Sequence, residues 1–263
     1  MEQNVGRLYY AVCAGRSCLF YTILTLTVVS VIIVCWPLIF LSPKIPFFIF
    51  SMTARISMWL MRLIVGIRIK FEGVETLRCL QRNFGCFLLA PKHQSELETL
   101  VFSIFLKAFR IVYKREMANI PVIGSYMKRM KFIAIDRSAG RAAVQQLLTE
   151  GQLAIQMNRP ILIFPEGTRT PFGGRGKYHP GVALMYDAMK VPILPVSHNS
   201  GKFFPPHSFV KFPGVITFKF LDPIMPGLST REALQELEVR IEAGCSIEHT
   251  TSIDKEPLQS RCS

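Results

Sequence analysis

The sequence predicts an α/β fold, a mixed sheet with flanking helices, preceded by an N-terminal membrane helix or helical hairpin. Three observations carry that prediction. Residues 19–41 hold no charge and are long enough to cross a hydrocarbon core of about 30 Å. From about residue 68, short apolar runs alternate with amphipathic segments, the pattern of strands separated by helices. Four of these runs end in polar residues, and ligand sites in open α/β sheets collect at the carboxyl ends of strands.

The 19–41 segment exceeds the apolar core of a signal peptide, and no small-x-small cleavage site follows it, so a retained helix is expected. Pro43 and Pro46 punctuate the chain, and a second apolar stretch runs over 47–67. Arg55 and Arg62, seven apart, share one helical face there, which suits an interfacial helix or a second span. With one span the termini lie on opposite sides, and Arg7 and Arg16 slightly oppose the positive-inside bias. With a hairpin all the charge stays cytoplasmic.

In the remainder, strands are expected at 86–90, 131–135, 160–164, 191–196 and 215–221. Helices are expected at 96–107, 141–158, 182–189 and 230–243, the last capped by Thr230. Residues 1–67 thus read as a membrane anchor, 68–245 as the globular domain and 246–263 as a polar tail. Pro192 and Pro195 place the 191–196 strand at an edge or mouth of the sheet, where its side chains could line a tunnel.

The chain of 263 residues carries a formal charge of +13, and half of its residues are hydrophobic. Basic surface combined with apolar excess points to membrane phospholipid and other anionic partners. Nucleic acid is disfavoured, because no zinc-finger spacing, RNP-like motif or long basic tract is present. Seven scattered cysteines without a Cys-x-x-Cys pair read as reduced thiols. His179, His198, His207 and His249 lack ligand-like spacing, so no metal site is expected.

The most informative pair is His93 and Glu98, just beyond the 86–90 strand. An imidazole with a carboxylate to fix its tautomer can take a proton from a hydroxyl. Five residues along a regular helix separate side chains by about 140°. The two therefore meet if His93 lies in the turn and Glu98 on the first helical turn beyond. No serine or cysteine nucleophile is evident at the pair, and no Gly-x-Ser-x-Gly elbow exists, so a direct transfer to a substrate hydroxyl is favoured over a covalent intermediate. Arg137, at the end of the 131–135 strand, offers a phosphate-binding fork or a surface ion pair. In Phe164-Pro-Glu-Gly-Thr-Arg169, Gly167 permits a tight turn, Thr168 offers a hydroxyl, and Arg169 a planar donor fork that Glu166 could orient.

Taken in order, four blocks resemble the signatures of the glycerolipid acyltransferase family, which includes the lysophosphatidic acid acyltransferases. They are residues 92–98, residues 114–137 beginning Lys114-Arg115-Glu116, residues 164–169 and residues 191–196. The resemblance covers roughly residues 70–225 and departs from the family pattern at two positions. Glu98 stands for the usual Asp, and Lys92 stands for Asn, adding a charge expected to disfavour protonated His93.

The resemblance implies an acyltransferase domain that moves an acyl chain from acyl-CoA or acyl-carrier protein to the sn-2 hydroxyl of 1-acyl-sn-glycerol-3-phosphate. His93 and Glu98 would be catalytic, and Lys114, Arg137, Glu166, Gly167, Thr168 and Arg169 would bind substrate. No cofactor is implied beyond the donor. The implied location is a membrane, a bacterial inner membrane with the catalytic domain facing the cytoplasm. Glycerol-3-phosphate or another lysolipid, such as an amino-acid lipid, is the alternative acceptor. An inactive membrane-anchored lipid-binding protein is the alternative outside enzymes.

Overall fold

A computed structural model describes residues 2–253. The first helix, α1 (Glu2–Cys35), ends before Trp36 and Pro37, and a 3-10 turn over Pro37–Phe40 follows. The helix therefore ends six residues before the expected end at 41, close to Pro37, which lacks the N–H that a further helical bond needs. A second helix, α2 (Ile45–Leu60), continues as a π-helical turn over Met61–Val65 and stops at Gly66 with φ 85°. By length and composition Gly6–Cys35 and Ile45–Val65 are each able to cross a membrane. They differ in setting: 6% of the apolar window of the first is buried in the protein, against 39% for the second. That difference reflects docking of α2, whose Phe47 and Phe50 rings lie 6.2 to 6.3 Å from those of Phe109 and Phe132. Arg55 and Arg62 stay exposed, as a shared polar face requires.

The domain that follows contains β1 (Ile67–Glu72), α3 (Val74–Asn83), β2 (Leu88–Pro91), α4 (Leu97–Phe105), β3 (Arg110–Lys114), α5 (Ile123–Arg129) and β4 (Ile133–Ile135). It continues with α6 (Arg141–Gln156), β5 (Ile161–Leu162), α7 (Gly181–Met189), β6 (Ile193–His198), α8 (Ser200–Phe203), β7 (Gly214–Phe220) and α9 (Thr230–Ile253). The seven strands form one mixed sheet in the order β1-β7-β6-β2-β5-β3-β4, antiparallel only between β6 and β7. Two strands escaped the periodicity reading. In β1, Ile67, Ile69 and Phe71 alternate with Arg68, Lys70 and Glu72, but the run is half charged. In β3, Arg110 and Lys114 bracket three apolar residues. Of the polar tail expected over 246–263, residues 246–253 extend α9 and 254–263 lie outside the described residues.

Side chains alternate across the sheet. In β2, Leu89 faces a core shared with α2 and α4, whereas Leu88 and Ala90 face one shared with α6, α7 and α9. Helices on both faces explain why the central strands read as unbroken apolar runs.

The edge position expected for the proline-containing strand is not what the fold shows. β6 lies inside the sheet, between β7 and β2. Ile193 exchanges hydrogen bonds with Ile224, and the β6–β7 ladder starts only at Val196, so Pro195 falls between two stretches of pairing. Its carbonyl accepts from the Leu221 N–H at 3.0 Å.

Lys211 ties α1 to this domain. Its N–H donates to Ser17 Oγ at 2.8 Å, and its buried ammonium donates to the carbonyls of Ser208 and Pro205 and lies 4.0 Å from the Phe204 ring centroid. Burial, helped by the Arg169 charge, pushes its pKa from 10.5 down to about 8. Between those values the unfolded chain binds more protons than the folded one, so this residue makes stability rise with pH across that window. Lys211→Met is expected to remove the rise. The Tm difference between wild type and variant in detergent, followed from pH 8 to 10.5, checks it: a constant difference would contradict the sign.

Candidate active site

Three adjacent parallel strands, β6, β2 and β5, end side by side and bring their carboxyl-terminal loops together. His93 lies in the turn after β2, and Glu98 on the first turn of α4, as the five-residue spacing required. His93 Nδ1 and Glu98 Oε2 are 3.0 Å apart. A carboxylate only accepts, so Nδ1 carries the proton, and in the neutral ring Nε2 holds the lone pair. The imidazole stacks on Phe164 with centroids 3.9 Å apart and remains 18% exposed at the side chain.

Glu98 is fully buried. Its Oε1 accepts from Ser95 N–H, Ser95 Oγ and Ser200 Oγ, each at 2.7 Å. Burial opposes its charge, but the His93 hydrogen bond, the nearby His198 and the Ser200 hydroxyl outweigh burial and hold its pKa below the usual glutamate value. His198 is buried behind it, 3.7 Å from Oε1. The Nε2–H of His198 donates to the Lys92 carbonyl at 2.8 Å, and burial lowers its pKa, which favours the neutral ring. Ser95, Ser200 and His198 were not singled out from sequence for this role. Ser200 and His198 are about a hundred residues from Glu98 and reach it only through the β2–β6 pairing.

The loop after β5 departs from one expectation. Glu166 does not orient Arg169, and at 1% exposure it faces the protein rather than a ligand. Its Oε2 accepts the His93 N–H at 2.9 Å, while Oε1 receives Lys92 Nζ at 2.9 Å and the Gly176 N–H at 3.2 Å. Gly176 is required for that approach, since a Cβ there would sit 2.5 Å from Oε1. Gly167 adopts φ 65° and closes the turn by donating to Phe164 O at 3.1 Å. Thr168 is exposed.

Arg169 pairs instead with Glu96 at the helix entrance, and Lys114, 60% exposed at the side chain, pairs with Glu116 at 3.2 Å. Arg137 opens a 3-10 turn after β4, and its side chain lies outside the described residues. Lys92, expected to set its charge against His93, is instead compensated by the two carboxylates of Glu166 and Glu242.

His93, Glu96, Lys114 and Arg169 open onto a cavity of about 540 Å³. Its far walls are apolar and include Leu24, Val28 and Ile32 of α1 and Ile49 and Phe50 of α2. Residues 191–196 are not among those lining it. They are buried in the sheet, in the core-packing role, and β3 and the N-terminal helices contribute to the cavity lining instead.

A histidine hydrogen-bonded to a carboxylate, at the strand ends of a mixed α/β sheet and beside an apolar cavity, is an arrangement suited to an O-acyltransferase. The comparisons with known proteins agree. The family model described as Acyltransferase matches residues 68–199. The 1-acyl-sn-glycerol-3-phosphate acyltransferase of Pseudomonas aeruginosa is 35% identical over 85% of this chain and 86% of its own. The Saccharomyces cerevisiae protein of the same name is 26% identical over 72% and 62%. The crystal structure of the 1-acyl-sn-glycerophosphate acyltransferase of Thermotoga maritima superposes with TM-score 0.70 at 18% identity, covering 90% of this chain and 97% of that one, a likeness of fold. The chain belongs to the acyltransferase family.

Proposed function

We propose that this protein transfers an acyl chain from acyl-CoA or acyl-carrier protein to the sn-2 hydroxyl of 1-acyl-sn-glycerol-3-phosphate, forming phosphatidic acid. The observation that carries the reading is the His93–Glu98 contact, with Nε2 free, at the mouth of a cavity that has cations at its rim and apolar walls behind. In this reading His93 Nε2 takes the hydroxyl proton as the oxygen attacks the thioester carbonyl. The tetrahedral intermediate expels the thiolate, which recovers the proton from the imidazolium. Glu98 stabilises that imidazolium. The thioester is an activated donor, so the step draws on no further cofactor.

Arg169 would hold the acceptor phosphate, with Lys114 and Arg137 assisting, and Gly167 and Thr168 would shape the loop. Hydrogen bonds to charged groups contribute about 1.5 to 3 kcal/mol, so Arg169→Ala is expected to raise the acceptor KM by about 10- to 150-fold with a smaller change in kcat. An unchanged acceptor KM would remove the phosphate role. Residues 1–67 would anchor the enzyme in a bacterial inner membrane with the domain over 68–245 facing the cytoplasm, a placement supported by the net charge and the apolar N-terminal helix. Protease protection of the domain from the cytosolic side in sealed vesicles would overturn that orientation.

One observation favours a second reading. Glu96 sets a carboxylate on Arg169, which suits an acceptor carrying an ammonium as well as an anion, such as an amino-acid lysolipid. A labelled panel of lysophosphatidic acid, glycerol-3-phosphate and amino-acid lysolipid, with both donors, on membranes holding wild type or His93→Ala separates the readings. Loss of product with all acceptors only in the variant supports acyl transfer. Product from lysophosphatidic acid alone selects the first reading.

A further inference from the structure

A second buried polar cluster lies behind His93, on the side away from the cavity. Lys92, whose side chain is buried, directs its ammonium to Glu166 Oε1 at 2.9 Å and to Glu242 Oε1 at 2.5 Å. Glu242 belongs to α9, beyond the residues matched by the family model. The Tyr178 hydroxyl donates to the same Glu242 oxygen at 2.9 Å. Burial and the two carboxylates push the Tyr178 phenol far up, so it stays a donor. Burial also works against the Lys92 charge, but the hydrogen bonds it donates to Glu242 and Glu166 prevail and hold its pKa above the ordinary lysine value.

The cluster reaches the base through the backbone. Glu166 Oε2 accepts from His93 N–H at 2.9 Å, and Thr170 N–H donates to His93 O at 2.8 Å. Both peptide groups of His93 are thus held by the loop after β5, and that loop is held by Lys92. One ammonium sits between two carboxylates. Without it, the buried Glu166 carboxylate faces that of Glu242, 21% exposed at the side chain, as a like charge, an unfavourable arrangement relieved by turning one aside or by protonating it. Either response changes what Glu166 offers the His93 N–H.

We propose that Lys92 and Glu242 are positioning residues for His93, acting through Glu166, so that the C-terminal helix sets the placement of the base. This chain has Lys92 where the family pattern resembled above has Asn, and Glu242 supplies the charge that such a lysine requires. The inference rests on reading His93 as the base.

The test is a double-mutant cycle on the full-length enzyme in detergent, with Lys92→Met, Glu242→Gln and the pair combined. A displacement of the base by about 1 Å can cost on the order of 10²-fold. Lys92→Met is expected to lower kcat by about 10- to 100-fold while the acceptor KM moves less. Glu242→Gln is expected to lower kcat several-fold with Tm little changed. Because Glu242→Gln removes one of the facing carboxylates, the double variant is expected to regain activity over Lys92→Met alone, a coupling between residues that share a network.

Wild-type kcat in Lys92→Met, or losses that simply multiply in the double variant, would overturn the proposal. If Lys92→Met does not fold, Glu242→Gln decides: a kcat loss at unchanged KM and Tm supports positioning, and wild-type kcat refutes it. His93→Ala run in parallel keeps the two ideas apart. An active His93→Ala would remove the base, whereas an inactive one beside a fully active Lys92→Met would remove only the positioning.

Discussion

His93→Ala is expected to lower kcat by about 10²- to 10⁴-fold, the usual contribution of a positioned general base. The donor thioester and acceptor would still bind, because the cavity walls and Arg169 are untouched, so both KM values should change little. Folding should also survive. The imidazole stacks on one face of Phe164 and is partly exposed, and the backbone contacts to Glu166 and Thr170 do not involve the side chain. Free-thiol release and labelled phospholipid formation, each normalised to folded protein, measure the loss. Wild-type turnover by this variant would end the proposed mechanism.

Glu98→Gln should do nearly as much harm while keeping the shape of the site. Oε1 of Glu98 receives three donors, from Ser95 N–H, Ser95 Oγ and Ser200 Oγ. A glutamine would leave its carbonyl oxygen there and turn its NH₂ toward His93. That amide can only donate, so it selects the tautomer with Nδ1 bare and Nε2 protonated. The nitrogen facing the cavity would then carry a hydrogen instead of a lone pair. The imidazolium would also lose the charge that stabilises it. A fall of about 10²- to 10⁴-fold in kcat is expected, with a Tm close to wild type. Glu98→Asp, the side chain that the family pattern carries at this position, should retain far more activity. If Glu98→Gln were as active as wild type, the carboxylate would be a structural group rather than the partner of a base.

Much of this was legible in the chain because the site is local. His93 and Glu98 lie in one turn, and the loop at residues 164–169 follows one short strand, so spacing and strand ends located both. The second layer was not legible. Glu98 is held by Ser200, and Lys92 by Glu242, across separations of 102 and 150 residues that the sheet order and the packing of α9 bring together. Nothing in the local pattern around Glu242 separates it from the other acids of α9, which read as the solvated face of a helix. Pro195 misled for the opposite reason. Its local rule, no donor for a ladder, is sound, but the gap between the Ile193–Ile224 bridge and the β6–β7 ladder lets an interior strand obey it. Residues 191–196, which could have lined a tunnel or packed in the core, do the latter, and burial and lining a cavity look alike in an apolar run.

The cavity has a practical consequence for anyone seeking a smaller, water-soluble version of this enzyme. Leu24, Val28 and Ile32 of α1 and Ile49, Phe50, Thr53 and Ser57 of α2 form part of its wall. Cutting the chain before residue 68 would open the chamber along one side and also strip Phe47, Ile49 and Leu60 of α2 from the core they share with Leu97, Val101 and Phe102 of α4, the helix that carries Glu98. Such a fragment would lose part of the cavity wall and part of the core behind Glu98, so a water-soluble version has to keep or replace these helices rather than delete them.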